Sequence, residues 1–441
     1  MLGEVSHKIF DWIQHGKAIR IIYDGDVLLP TFKRMQERGW IREVVQSHEV
    51  RGADPKFEHL VVGRFSEAVE KDIYAIERAV FINKEELARP GQIRDGYFPD
   101  AVFADPTFIL PVIEYALLEW TTSRKQTVDD LFDALEPHVF GRVVVDGART
   151  LLTMVEDPGC TVFLTLSGAM TNAKMGLVIC DMVDTGMVQV ISSTGALMAH
   201  GLIEGVGLKH YKHNPGHSDA FLAERQLNRV TDTLEPEENF SHIEEMVDKV
   251  LWTFDSDQPI SPSMFHDAVG KVLAMHYPED RGILKSTHEK KVPVLCPAFV
   301  DSEIGNDLYV HNERRRRRGM KPLIVWPELD SELLMRTMTT SERAGIFSIG
   351  GGVPRNNTQN VAPLIEISNE RLDLDMPTRM FSYGCRIAPD AMYYGHLSGC
   401  TYSENGSWRK MDIQHGHFAE IRGDATQVWP FLVRHVIERL G

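Results

Sequence analysis

The residues best suited to chemistry lie near the C-terminus, in Glu404-Asn405-Gly406-Ser407-Trp408-Arg409-Lys410, just behind Ser398-Gly399. This stretch sets one primary amine beside an indole ring and a carboxylate. A lysine is a nucleophile only while its amine is neutral, which requires desolvation or cationic neighbours to lower its pKa. Trp408 can screen the amine from water, Arg409 can disfavour a second positive charge, and Glu404 can hold a cationic substrate. The same letters, read alone, also describe a surface lysine that follows a core tryptophan.

Positioning such a group takes a scaffold, and the chain carries the pattern of one. Short β-rich runs alternate with helical stretches, which implies a mostly parallel sheet covered on both faces. The strand candidates are Thr161–Leu166, Val188–Ser193, Val292–Cys296, Gly345–Ile349 and Thr378–Tyr383. Several run straight into small residues: Ser167-Gly168-Ala169, Thr194-Gly195-Ala196 and Gly350-Gly351-Gly352. Doubly wound sheets bind ligands outside the carboxyl ends of their strands, where tight turns expose backbone N–H groups. The G-x-G-x-x-G fingerprint is missing, so the turns by themselves leave room for a nucleotide without specifying one.

The expected architecture is a doubly wound, mostly parallel α/β domain over residues 116–441, preceded by a small N-terminal α/β extension over residues 1–115. In the extension, Ile19-Arg20-Ile21-Ile22-Tyr23 reads as a strand ended by Asp24-Gly25-Asp26. Pro30 to Gly39 reads as a helix, and Ser66 to Phe81 as a longer one with Ser66 at its N-cap. Arg89-Pro90-Gly91-Gln92 and Phe98-Pro99-Asp100 have the turn residues of a connector.

With 441 residues the chain can bury a large core plus an appendage. No apolar run reaches membrane-spanning length, and Met1-Leu2-Gly3-Glu4 lacks the profile of a signal peptide. Five scattered cysteines fit reduced thiols, so a cytoplasmic protein is expected. A net charge of −16 argues against a nucleic-acid partner and suits a cationic ligand. His210, His213 and His217 invite a zinc reading, but Lys209 and Lys212 oppose a bound cation and Pro215-Gly216 marks a loop, so no metal is expected. The run Arg314 to Arg318 reads as a solvated helix face or an inter-subunit ion-pair surface. No G-x-S-x-G elbow or CxxC pair anchors a hydrolase or thiol-redox reading.

From about Val128 to the C-terminus, the chain resembles deoxyhypusine synthase and the related homospermidine synthases. The matching segments come in the family's order: Cys160-Thr161-Val162-Phe163-Leu164, Asn228-Arg229-Val230 followed by Pro236-Glu237-Glu238-Asn239-Phe240, Pro297-Ala298-Phe299-Val300-Asp301, Gly350-Gly351-Gly352-Val353, and Ser407-Trp408-Arg409-Lys410 ahead of Gly423-Asp424-Ala425. The resemblance places Lys410 at the family's catalytic lysine, in a motif usually written Ser-Trp-Gly-Lys, with Arg409 standing in place of glycine. It implies a Rossmann-type NAD site matched by Thr194, Gly195, Asp301, Gly351, Asp424 and Ala425. The plain alternative is that these glycines make turns and these aspartates cap helices.

For the amine, the resemblance implies a substrate-binding set at Glu404, Trp408, His200, Asn306, Asn356 and Leu397. Only Glu404 and Trp408 keep the family's residue types. Ala199 and His200 replace paired glutamates, Asn306 and Leu397 replace aspartates, and Asn356 replaces a histidine. Each carboxylate lost beside an ammonium removes on the order of 1–4 kcal/mol of attraction, although Glu303 and Asp307 flank Asn306. The implied activity is NAD-dependent transfer of an aminobutyl-type group from a polyamine-like donor through a lysine imine. The acceptor is a small amine, as in homospermidine synthesis, or a lysine of the translation factor that carries hypusine. A non-catalytic NAD-binding regulatory paralogue is the alternative of another class. The family is typically a homotetramer with active sites at subunit contacts.

Overall fold

The computed structural model describes residues 139–441 throughout. Ahead of them it describes residues 17–23, 41–46, 56–62 and 79–82 and the single positions 32, 33, 36, 37, 49, 127, 128 and 132. The chain divides into two compact units, Met1–Arg142 and Val143–Gly441, so the division falls C-terminal to the boundary at 115/116 drawn from sequence.

The described part of the first unit is a four-stranded parallel sheet of β1 (Ile19–Tyr23), β2 (Glu43–Gln46), β3 (Glu58–Val62) and β4 (Ala79–Ile82), in the order β2-β1-β3-β4. Ile19, Ile21 and Ile22 are fully buried, which is why the Ile19–Tyr23 run forms the strand its composition suggests. The helix expected from Ser66 to Phe81 does not extend to its end, because Ala79–Ile82 is a strand paired with β3. Its short apolar run with β-branched and aromatic residues suits sheet pairing better than a helix end. Of the helix read from Pro30 to Gly39, residues 32, 33, 36 and 37 are described and helical. The turn at Asp24 to Asp26 and the connectors at Arg89 to Gln92 and Phe98 to Asp100 lie outside the described residues.

Helix α1 (Val139–Glu156) leads into the second unit, which is built on a six-stranded sheet that is parallel throughout: β5 (Cys160–Leu166), β6 (Val190–Ser193), β10 (Val294–Leu295), β11 (Arg343–Ile349), β12 (Tyr383–Ile387) and β13 (His417–Ile421). The order is β10-β6-β5-β11-β12-β13. The chain therefore travels outward from β5 through β6 to β10, then returns past β5 to continue in the other direction from β11. β5 and β11 are buried along almost their whole length, the continuous apolar pattern of strands covered on both faces. Helices α2 (Gly176–Asp184), α3 (Gly195–Gly205), α4 (Asp219–Ala223), α5 (Glu237–Leu251), α6 (Pro262–His276), α7 (Ile283–Lys290), α8 (Glu303–Arg317) and α9 (Glu328–Thr340) fill the first set of connections. Helices α10 (Gly352–Gln359), α11 (Val361–Leu372) and α12 (Tyr402–Ser407) fill the second, and α13 (Ala425–Leu440) follows β13. A small antiparallel sheet of β7 (Tyr211–Lys212), β8 (Leu227–Val230) and β9 (Thr233–Pro236) is inserted after α3.

The strand expected at Thr378–Tyr383 in fact begins at Tyr383 and runs to Ile387. Phe381 belongs to the approach, where it makes a single bridge to Met411 and packs edge-on against Phe163 at 5.5 Å between ring centroids. The true strand is disguised by Arg386, a buried guanidinium that is acceptable there because it pairs with Glu420 on β13 and donates to the Ser398 carbonyl at 2.7 Å. The arginine run also departs from a purely solvated face. Arg314 pairs with Glu244 and Asp248, but Arg315 is buried, donating from Nε to the Lys321 carbonyl at 2.6 Å and lying 5.1 Å from the Trp252 ring centre. Among the described residues no helix is long and apolar enough to cross a membrane.

Candidate active site

Strands β5 and β11 are neighbours, with Leu166 opposite Ile349, and the chain reverses its direction across the sheet between them. Such a reversal leaves a crevice at the carboxyl ends, because the connections on either side depart to opposite faces. Here Ser167-Gly168 leaves β5 and Gly350-Gly351-Gly352 leaves β11. Gly168, Gly350 and Gly352 have φ of +68°, +77° and +70°, the left-handed region that side chains disfavour. The crevice is a cavity of about 530 Å³ whose lining includes Ser167, Gly168, Gly350, Gly351, Asp424 and Ala425. Two helix N-termini, those of α10 at Gly352 and α13 at Ala425, open onto it, which gives it the partial positive charge and free N–H groups that favour phosphate. These features fit a dinucleotide.

The individual cofactor candidates fare differently. Gly351, Asp424 and Ala425 line the cavity. Asp424 is also the N-cap of α13, accepting from the Thr426 N–H at 2.8 Å. Thr194 stands behind the wall, donating to the Gly168 carbonyl at 2.6 Å and capping α3. Gly195 is pressed against Ser302, where a Cβ would lie 2.6 Å from the serine side chain. Asp301 is exposed in the turn before α8 and is not part of this lining.

A second cavity, of about 320 Å³, shares Gly352 and Leu397 with the first and contains Lys410. Thr401 caps α12 by accepting from the Glu404 N–H, and the helix ends at Trp408. Arg409 then turns the chain with φ +52°, and Lys410 is tied down by its N–H to the Asn405 carbonyl and by its own carbonyl accepting from Phe381. That left-handed φ explains the glycine of the related Ser-Trp-Gly-Lys motif: the backbone requires the conformation, and Arg409 adopts it at a cost of about 1–2 kcal/mol. The Arg409 side chain points away, pairing with Glu366 at 3.1 Å on the surface.

Lys410 is only 6% exposed, and its Nζ donates to Asn356 Oδ1 at 2.9 Å. Burial, and then the Arg355 guanidinium, hold its amine below the usual lysine range, opposed by Cys400 and Glu404. The depressing cation is therefore Arg355 and not Arg409. Trp408 lies 5.6 Å from Nζ but is 64% exposed, so the indole walls one side of the amine without sealing it. Arg355 is buried, held by the Cys400 carbonyl at 2.6 Å and by the Tyr402 ring at 5.6 Å.

Of the amine-binding candidates, Glu404, Trp408, Asn356 and Leu397 line this cavity. His200 and Asn306 do not. His200 faces Glu235 and His210 from α3, and Asn306 is exposed on α8. Next to Asn306, burial and then Glu244, Glu303 and Asp248 push the Asp307 carboxyl up to about 7. Sequence reading missed Arg355, Gln359, Asn360, Cys400 and Asn405, which also line it. The helical spacing of Arg355 with Gln359 and Asn356 with Asn360 was the available signal.

Doubly wound α/β proteins with a ligand crevice at the switch point form the broad class to which this unit belongs. The deoxyhypusine synthase family model matches residues 131–436, and the chain belongs to that family. At the level of the family, this membership supports an NAD-dependent aminobutyl transferase. The chain is 31% identical over 319 residues to a probable deoxyhypusine synthase of Methanosarcina thermophila, covering 71% of this chain and 92% of that protein. It is 29% identical over 289 residues to a deoxyhypusine synthase-like protein of Chlorobaculum tepidum, covering 65% and 79% respectively. A crystal structure of a putative deoxyhypusine synthase from Entamoeba histolytica aligns with a TM-score of 0.46 and 12% identity, over 71% of this chain and 94% of that one.

Proposed function

We propose that this protein transfers an aminobutyl-type group from an amine donor to a small amine acceptor, with Lys410 as the nucleophile that carries the group. The observation that supports it best is a single buried amine, lowered in basicity by desolvation and by Arg355, in a cavity that adjoins the glycine-lined crevice through Gly352 and Leu397. In that crevice NAD would supply a hydride acceptor for the donor amine and a hydride source for the product. Gly351, Asp424 and Ala425 would hold it, with Thr194 and Gly195 supporting the wall and Asp301 contributing if a second protomer brings it near.

Lys410 then attacks the oxidised donor carbon, a C–N bond forms to Nζ, and the donor's former amine leaves with the proton. The acceptor amine reverses this exchange, so Nζ regains its electron pair and proton. Asn356 receives a hydrogen bond from Nζ and so fixes its direction. Among the described residues Glu404 is the only carboxylate lining this cavity, and it would hold one distal ammonium, with Trp408 along the alkyl chain. Asn306 would join from a neighbouring subunit in the family's tetrameric arrangement, whereas His200 is occupied by Glu235.

A lone carboxylate favours a donor and acceptor of low charge, which supports the homospermidine-like reading over modification of a translation-factor lysine. It is also the observation that favours a non-catalytic paralogue. Incubation with NAD and candidate amines, followed by borohydride trapping, is expected to add mass at Lys410. Lys410→Ala is expected to abolish the adduct and the transfer while keeping NAD binding. Transfer that survives in Lys410→Ala refutes the nucleophile, and tight NAD binding without an adduct for any amine selects the paralogue.

A further inference from the structure

Three side chains from three separate elements converge away from the Lys410 cavity: His200 from α3, His210 from the segment before β7, and Glu235 from β9. Each is more than nine-tenths buried, and their donor atoms all lie within 4.8 Å of one another. Glu235 Oε2 is 3.1 Å from His200 Nδ1 and 2.6 Å from His210 Nε2. Glu235 Oε2 therefore faces one ring nitrogen of each imidazole at once. An ion bound among these atoms would take the place of the protons that otherwise bridge them.

From this geometry we infer that His200, His210 and Glu235 form a binding site for a divalent transition ion of the zinc class. Two imidazoles and one carboxylate are the donor set such ions prefer, whereas calcium and magnesium require more oxygens. Bonds of about 2.1 Å in tetrahedral geometry separate donors by roughly 3.4 Å. The His200 contact is close to that spacing already, and the His210 contact reaches it by opening less than about 1 Å. Three protein donors leave one position for water or a ligand.

Outer contacts orient the set. Glu235 Oε1 accepts from Asn239 at 2.8 Å, and Glu204 Oε1 lies 3.4 Å from His210 Nδ1, the carboxylate partner that directs the other ring nitrogen to a metal. Lys174 approaches Nδ1 to 3.3 Å, but its charge is met by Glu204 at 2.5 Å. His213 and His217 take no part, since His213 Nε2 bonds to the His217 carbonyl at 3.2 Å. The sequence reading expected no metal on His210, His213 and His217, and His210 instead meets partners from other elements.

The test uses the full chain, stripped with a chelator and refilled with zinc(II) alone, with cobalt(II) as a spectroscopic substitute. One equivalent of zinc per chain is expected, with visible cobalt bands of low coordination number and no thiolate charge-transfer band. Glu204→Gln is expected to weaken zinc by about 10–100-fold, and His200→Ala or Glu235→Gln by at least about 100-fold. His213→Ala and His217→Ala leave affinity unchanged. Should the ligand variants not fold, zinc stoichiometry and the cobalt spectrum of the unmodified protein decide alone. A stoichiometry near zero, a thiolate band, or unchanged affinity in folded Glu235→Gln overturns the site, whatever the outcome at Lys410.

Discussion

Gly351→Ala separates steric fit from backbone strain at the junction of the two cavities. Gly351 has φ −162°, extended backbone that any residue adopts, so alanine is not strained there by its own conformation. Its Cβ, however, would lie 2.3 Å from the Ser398 Cα and 2.7 Å from the Ser398 N. Carbon–carbon contacts settle near 3.5–4.0 Å, so the 397–399 turn must retreat by more than about 1 Å. Overpacking of this kind costs about 1–3 kcal/mol. The turn bears Leu397, which lines both cavities, so the retreat deforms the crevice as well as the amine site. A displacement of about 1 Å near reacting groups costs roughly 100-fold in rate.

The control is Gly186→Ala, at φ +80° with no atom within 4 Å of the new Cβ and outside both cavities. It is expected to lose about 1–2 kcal/mol through left-handed strain alone. Thermal unfolding and NAD titration by calorimetry distinguish the pair. Both variants melt earlier, but only Gly351→Ala loses NAD affinity, by tenfold or more. If Gly351→Ala binds NAD and melts like the parent, the turn yields freely and the reasoning from Ser398 is wrong.

Arg355→Met removes the cation that depresses Lys410, so the amine pKa rises and the rising, acid-side limb of a borohydride-trapping pH profile moves to higher pH; an unmoved limb would assign the depression to burial alone. Asp307 works in the opposite direction for stability. Its folded pKa of about 7 lies above the ordinary 3.8, so its ionisation destabilises the fold progressively as pH rises from about 4 through 7. Asp307→Asn is therefore expected to raise the melting temperature at pH 8 and to leave it nearly unchanged at pH 4, and equal effects at both pH values would contradict the assignment.

Local patterns carried much of the fold and only part of the site. Continuous apolar runs identified β5 and β11, and the small residues behind them marked where a ligand crevice opens. Glu404, Trp408 and Lys410 were legible because one short segment holds all three. Arg355 was not, since its effect depends on which face of α10 turns toward the amine and on a neighbouring carbonyl from residue 400. β12 was displaced in the sequence reading because Arg386 breaks its apolar run, and its justification, Glu420, is 34 residues away. The union of His200, His210 and Glu235 is a tertiary fact, assembled by the inserted antiparallel sheet.

The left-handed residue ahead of Lys410 bears on how relatives of this chain would be recognised. Because Arg409 satisfies the same bend with a side chain directed outward to Glu366, the letter at that place is free to vary while the path of the polypeptide stays constant. A pattern search demanding glycine there would discard proteins that hold their lysine in this same pose.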